Sequence, residues 1–418
     1  MRAFDIESIR NDFPILARNV YGRPLVYLDS GATAQKPKCV SEAVRGMCLE
    51  NNANIHRGAH RLASESTTRY EEARETVRAF IGAECPQEII FTSGATAGLN
   101  VAASSLCRLL VGEGDNIVVS QMEHHSNIVP WQMGMENVST GRGWRGSKGN
   151  IRVLPFDDSG AMDIDALEKG LVDDRTKVVA LTQCSNVLGT RPDIGRVVEI
   201  AHRHGAVVVV DGCQGAVHGD TNVRDLDCDL YAFSGHKLYG PTGVGVLYGK
   251  KELLEKMPPL LGGGDMIATV SFGETSWAEL PFKFEAGTSN YIGAVGMAEG
   301  IKYLSQFDRA DVARHEQSLL DAATEALSKI DGLRIYGTAP GKASIVSFTV
   351  EGTHASDIGA VLDKLGIAVR TGTHCAQPLL SHYGVQSVCR ASFALYNTLE
   401  EVDALAAGVE RAVKMLRK

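Results

Sequence analysis

Residues 206–243 read AVVVVDGCQGAVHGDTNVRDLDCDLYAFSGHKLYGPTG. The stretch holds two short apolar runs, Ala206–Val210 and Leu230–Phe233, each closed by polar residues. Runs this apolar suit strands buried on both faces, as in a parallel sheet covered by helices. The first ends on Asp211 and the second on Ser234-Gly235-His236-Lys237. A carboxylate, a hydroxyl, an imidazole and an amine therefore gather at neighbouring strand tips, where open α/β sheets bind their ligands. An aspartate at a strand end is ordinarily a helix cap or half of an ion pair, and a lysine there ordinarily snorkels to solvent. Lys237, however, is hemmed in by Gly235, Tyr239, Gly240, Pro241 and Gly243, a rigid turn that would hold one side chain inward.

The same rhythm extends in both directions. Glu88–Thr92, Asn116–Ser120, Ile151–Phe156 and Val178–Gln183 read as strands, with helical stretches at Ala97–Leu110, Ile164–Leu171 and Ile194–Arg203. The expected fold class is α/β, with a mostly parallel sheet in a large domain. Residues 262–292 are rich in Gly, Ser, Thr and aromatics without periodicity, which reads as a long loop system. Beyond it come helices Gly293–Phe307 and His315–Ile330, strands Leu333–Tyr336 and Ser344–Val350, helix Ser356–Leu365, strand Ile367–Gly372 and helix Leu399–Arg417, a smaller α+β C-terminal domain. The expected division is residues 1–20 as a segment packing with the small domain, 21–290 as the large domain and 291–418 as the small one.

Composition narrows the function. The 418 residues are 44% hydrophobic and 22% charged, with 42 basic and 50 acidic side chains for a net charge of −8. No basic field exists to hold nucleic acid or an anionic membrane, and the apolar runs are too short to span a bilayer. The N-terminus (MRAFDIESIRNDFP) lacks the apolar core of a signal peptide, so a cytoplasmic address is expected. Nine scattered cysteines with no C-x-x-C pair argue against a disulfide framework and a zinc site, and most should be buried.

An Asp and a Lys on adjacent strand tips are what pyridoxal 5'-phosphate (PLP) chemistry requires: the lysine to form a Schiff base, the aspartate to keep the pyridine nitrogen protonated. A phosphate cradle fits Thr92-Ser93-Gly94-Ala95-Thr96, where a strand turns into a helix N-terminus.

With those residues in place, a resemblance emerges. Ser234–Lys250 (SGHKLYGPTGVGVLYGK), preceded by VVVVDGCQGAVH, resembles the PLP-lysine region of class V aminotransferase-fold enzymes of PLP transferase fold type I. SQMEHHSNIVPWQ, CSNVLGT, NIHRGAHRL, FEAGTSN, RTGTHCAQPLL and CRASFALYNT follow the pattern of group II, Suf-type cysteine desulfurases, from about Asp12 to the chain end. The resemblance implies Lys237 as the Schiff-base lysine, Asp211 at the pyridine nitrogen, His124 stacked on the ring, Gln214 at the ring hydroxyl and Asn186 beside cofactor and substrate. It assigns the phosphate to Ala95, Thr96, Ser234 and His236, with Thr288 reaching the phosphate of a homodimer partner. Arg390 would take the substrate carboxylate, with His56 and Arg370 near the mouth.

The implied nucleophile is Cys375, on a Gly-containing turn where Arg370 and His374 would favour its thiolate. The implied reaction takes sulfur from L-cysteine to a Cys375 persulfide, releases L-alanine, and passes the sulfur to an acceptor of the SufE or SufU kind for iron–sulfur cluster assembly. Selenocysteine lyase chemistry would use the same residues. Kynureninase-like and epimerase-like relatives need no R-T-G-x-H-C loop, and a dead scaffold would not keep Lys237, Asp211, Cys375 and Arg390 together. The chain departs from the family at Thr373 (usually His), Ala97 (commonly Glu) and Cys213 (commonly Ala). Cys184 and Cys213 place extra thiols near the pocket.

Overall fold

The computed structural model describes residues 2–140 and 150–417. A seven-stranded sheet carries the large domain: β1 (Ile89–Thr92), β2 (Asn116–Ser120), β3 (Ile151–Leu154), β4 (Thr176–Thr182), β5 (Val207–Asp211), β6 (Leu230–Ser234) and β7 (Gly245–Gly249). Their spatial order is β1-β7-β6-β5-β4-β2-β3. From β6 to β3 all pairings are parallel, and β7 runs against both its neighbours. The apolar runs are buried on both faces because successive side chains point opposite ways. Val208 and Val210 join one core and Val209 the other, as Tyr231 and Phe233 alternate with Leu230 and Ala232.

Four antiparallel strands form the second sheet, ordered β8-β9-β11-β10: β8 (Leu333–Tyr336), β9 (Ile345–Val350), β10 (Arg370–Gly372) and β11 (Val388–Ser392). Helices Arg309–Ser328, Ala355–Lys364 and Leu399–Leu416 cover it. The single strand expected at Ile367–Gly372 is split at Val369. Ile367–Ala368 pairs in parallel with Val26–Tyr27, while β10 pairs with β11.

Three further expectations need revision. The stretch expected as a helix at Ile164–Leu171 is helical from residue 165 but short, widening to a π-helical turn at Leu167–Leu171 with Gly170 at φ 104°. Residues 262–292 contain an exposed two-stranded ribbon, Ile267–Val270 against Thr275–Trp277. The helix expected at Gly293–Phe307 spans Tyr291–Leu304 and packs on helices Lys38–Leu49 and Arg61–Ile81, with Ala294, Met297 and Ile301 in the large-domain core. We therefore propose a division after Phe307 instead of at 290. The N-terminal segment is wedged between the two bodies: the Phe13 ring meets Tyr239, Tyr303 and Tyr396, and Arg10 donates to Glu401 and the Tyr396 carbonyl.

One buried ion pair fixes the start of the expected phosphate loop. Arg74 and Glu285, 1% and 2% exposed at their side chains, meet at 2.7 Å, and Glu285 also accepts from the Phe91 N–H and the Tyr70 hydroxyl. Every oxygen of that carboxylate is thus partnered, as burial of a charge demands. Gly94 follows at φ 144°, and a Cβ on Gly245 opposite would stand 2.6 Å from its Cα, so the two strands approach as only glycine permits. Among the described residues no helix is long and apolar enough to cross a membrane.

Candidate active site

The tips of β4, β5 and β6, the Gly94 turn and one edge of the small domain surround a cavity of about 340 Å³. The large domain lines it with Asp211, Ser234, His236, Lys237, Ala95 and Thr96, together with His124 and Asn186. Arg370, Cys375 and Arg390 come from the small domain. Three expected site residues stand elsewhere. Gln214 is buried one layer back, its Nε2 donating to the Gly31 carbonyl at 2.7 Å. Thr288 is exposed and does not line the cavity. His56, exposed with φ 69°, lines a separate cavity of about 600 Å³ beside Glu71 and Glu72.

Local hydrogen bonds explain how the side chains are held. Asp211, 3% exposed, accepts the Cys213 backbone N–H at 2.9 Å. The first N–H of helix Ala95–Leu110 donates to Ser234 Oγ at 2.9 Å, so a helix N-terminus and a hydroxyl converge where an anion would sit. The Lys237 amine makes no hydrogen bond or ion pair with any described residue. His124 Nδ1 accepts the Ser126 N–H at 3.1 Å, which leaves the proton of the neutral ring on Nε2.

Beneath His124, the Glu123 carboxyl is sealed from water. It accepts from the Thr182 N–H, Asn127 Nδ2 and the Ser120 hydroxyl, and burial still pushes it up to about 8. Nothing in the residue pattern singled it out.

The Cys375 loop is pinned through its backbone. His125 N–H donates to the Cys375 carbonyl at 2.7 Å, and Asn186 Nδ2 donates to the His374 carbonyl at 2.9 Å. Both His374 and Cys375 adopt positive φ, at 51° and 55°, a conformation uncommon for such residues and here held by those bonds. Cys375 itself is exposed. Four of the nine cysteines, and not most of them, are fully buried; Cys213 lines the cavity while Cys184 is enclosed behind it.

The expected help from His374 is not available. Burial, then the Arg390 charge, drives its imidazole down to about 3, so it is neutral at Cys375's side. Arg370 remains as the nearby cation. Burial and the Lys237 charge likewise lower His124 and His236 to about 4.

These histidines carry a pH signature. An imidazole held below its unfolded value of about 6.5 binds its proton more tightly in the unfolded chain, so stability is complete above about pH 6.5. It is lost as pH falls from there towards the folded values of about 4 and 3 for His124 and His374. The expected loss is roughly 2–3 kcal/mol for each of these two, and less for the more exposed His236. Urea midpoints between pH 7 and 4 measure it, and His374→Asn, which tolerates the left-handed backbone, should flatten the slope. An equally steep slope in that variant would mean His374 is charged in the fold.

Comparison with known proteins now decides the family. The Aminotransferase class-V profile matches residues 26–405. The chain belongs to that family. It is 47% identical over 414 residues to a cysteine desulfurase of Klebsiella pneumoniae (strain 342), covering 99% of each chain. With a cysteine desulfurase of Escherichia coli (strain K12 / DH10B) it shares 44% over 414 residues, again 99% of each. The crystal structure of the cysteine desulfurase CsdA (S-sulfonic acid) from Escherichia coli matches with a TM-score of 0.90 at 42% identity, over 99% of this chain and 100% of that one. The apo cysteine desulfurase from Thermococcus onnurineus NA1 matches equally, TM-score 0.90 at 38% identity, over the whole of both chains.

This chain is thus a class V PLP enzyme of the cysteine desulfurase group, and its cofactor is pyridoxal phosphate. The cavity fits that group. It offers an unpartnered amine at Lys237, a buried carboxylate at Asp211, and the Ala95–Thr96 helix start for a phosphate. Sequence reasoning missed Asp29–Thr33, of which Gly31, Ala32 and Thr33 line the cavity. Its signal was present: an apolar run, Leu25–Leu28, ending in Asp29-Ser30-Gly31, as at the other tips. Ser126, Thr242 and Cys213 also line it.

Proposed function

We propose that the protein transfers the sulfur of L-cysteine to Cys375 and releases L-alanine. The observation that carries this reading is Cys375: an exposed thiol on a pinned loop, at the rim of the cavity that holds Lys237, Asp211 and Arg390. Bound PLP supplies an electron sink that acidifies the substrate Cα and weakens its C–S bond. Asp211 holds the pyridine N–H. Lys237 anchors the cofactor and, once displaced by substrate, takes the proton from Cα. Arg390 receives the substrate carboxylate; its Nη1 is held by the Asn186 carbonyl at 2.8 Å and its buried Nε has no partner. His124 offers the proton on Nε2 to the reacting face. Ala95, Thr96, Ser234 and His236 hold the phosphate, and the neutral His236 does so as a hydrogen-bond donor.

The Cys375 thiolate attacks the substrate sulfur, forming an S–S bond as the Cβ–S bond breaks. That bond's electrons stay on Cβ, which takes a proton, and Lys237 returns to Cα the proton it took, so alanine leaves and Cys375 holds the sulfur as a persulfide. An acceptor thiol of a SufE- or SufU-like protein then attacks the outer sulfur, feeding iron–sulfur cluster assembly in a Suf-type system. Selenocysteine is a second substrate of the same site.

The working form is a homodimer. Thr288 and His56 lie outside their own chain's cavity, and the nearby ribbon exposes Val270, Phe272 and Trp277, which supports their serving a partner. Light scattering should return twice the chain's 44.8 kDa. Anaerobic incubation of the holoenzyme with L-cysteine should give alanine, with sulfide released in step only when a thiol acceptor is present. Cysteine consumption without alanine would defeat the proposal.

A further inference from the structure

Two successive histidines stand on the turn that follows β2. His124 lines the cavity, whereas His125 does not and reaches the small domain instead. Its backbone N–H donates to the Cys375 carbonyl at 2.7 Å, and its ring Nε2 accepts the Gln377 N–H at 3.1 Å. One residue thus grips the nucleophile's loop on both sides of Ala376. Gln377 opens the helix Gln377–His382, whose first N–H groups have no partner within the helix, and Ala376 before it has no polar side chain to cap them. His125 supplies that cap from the other domain. An accepting Nε2 carries no proton, so the neutral ring holds its proton on Nδ1. The turn itself is fixed from beneath, where Glu123 accepts the Thr182 N–H at 2.9 Å and Asn127 Nδ2 at 2.7 Å.

We propose that the His125 side chain is a positioning residue that aims the Cys375 thiol at the substrate's sulfur. The direction of that thiol follows from the backbone of residues 374–377. His374 and Cys375 hold φ of 51° and 55°, a region neither residue favours, so bonds from outside the loop must keep them there. Asn186 holds the His374 carbonyl on one side, and His125 holds the Cys375 carbonyl and the Gln377 N–H on the other. Forming the S–S bond depends on that aim, since a misplacement of about 1 Å can cost on the order of 100-fold. Removal of the Cα proton by Lys237 asks nothing of this loop. His125 therefore serves the second half of the reaction and not the first. The inference rests on the sulfur transfer to Cys375 proposed above.

The test compares two reactions of the holoenzyme. Alanine formed from L-cysteine reads the attack by Cys375. Exchange of the L-alanine Cα proton for deuterium in heavy water, followed by proton NMR, reads Lys237 without the thiol. His125→Ala keeps the backbone bond to Cys375 and loses the bond to Gln377, so the first rate should fall at least about fivefold and the second stay within about twofold. His125→Gln, whose Oε1 can accept the Gln377 N–H, should restore most of the first rate. Hydrogen exchange at the Gln377 amide should quicken in His125→Ala and not in His125→Gln. Gln377→Pro removes the donor instead, at a first helical position that suits proline, and should reproduce the loss even should His125→Ala fail to fold. The two changes combined should lose no more than either alone, because both delete one bond. Equal losses in both reactions would make His125 a support of its neighbour His124 and overturn the proposal, as would alanine formation within about twofold of wild type. Absence of added sulfur on Cys375 in the wild type would instead overturn the transfer reading, whatever the His125 variants do.

Discussion

Cys375→Ser is expected to bind pyridoxal phosphate as the wild type does and to lose alanine formation from cysteine by at least about three orders of magnitude. Cofactor binding should survive because Cys375 is at the rim and its loop is held by backbone bonds from His125 and Asn186, which serine keeps. The hydroxyl cannot take its place, since it is neither ionised nor a nucleophile towards sulfur at neutral pH. Cys213 is the nearest alternative, as it lines the same cavity. Burial and the neighbouring Asp211 push its thiol up to about 12, so it stays protonated. Mass spectrometry of the cysteine-treated protein should find the added sulfur on Cys375 alone. Full desulfurase activity in Cys375→Ser would transfer the role to Cys213.

The second large effect is at Lys237. Lys237→Ala should lose the yellow colour fixed to protein on borohydride reduction, and alanine formation should fall by about four orders of magnitude or more. Among the described residues no other lysine lines the cavity. Lys250 lies at the opposite end of the sheet, ion-paired to Asp227 at 2.6 Å and Asp229 at 3.0 Å. Lys36 is turned to the Ala34 carbonyl and the Thr33 hydroxyl. Peptide mapping of the reduced wild type decides the matter, because label on Lys250 or Lys251 would refute the assignment.

The parts of this architecture that were legible in sequence are those set by local pattern. Four valines in a row before Asp211 announce a doubly buried strand, and a lysine caged by glycines and a proline announces a fixed side chain. Long-range pairing left weaker marks. Nothing near Ile367 signals that two residues of that strand belong to Val26 and Tyr27 while the next three belong to β11. The placement of helix Tyr291–Leu304 on the large domain is decided by which partner its apolar face meets, and periodicity cannot tell partners apart. Burial is equally silent: His374 beside a reactive cysteine reads as an activator until the fold removes its water. His56 and Thr288 were expected at the site only through the family resemblance, and neither lines the cavity of this chain.

The pairing of Val26 with Ile367 also bears on how the protein is made. About 340 residues separate the two, so the ribosome must add all of them before Val26–Tyr27 finds its partner. At roughly 5–20 residues per second that interval is about 20–70 seconds. Throughout it the apolar residues of Leu25–Leu28 remain available to other emerging chains. The Cys375 loop, synthesised eight residues after Ile367, is therefore completed in the same stage that shelters Val26–Tyr27, and a nascent chain acquires its reactive thiol only as these two distant segments are joined.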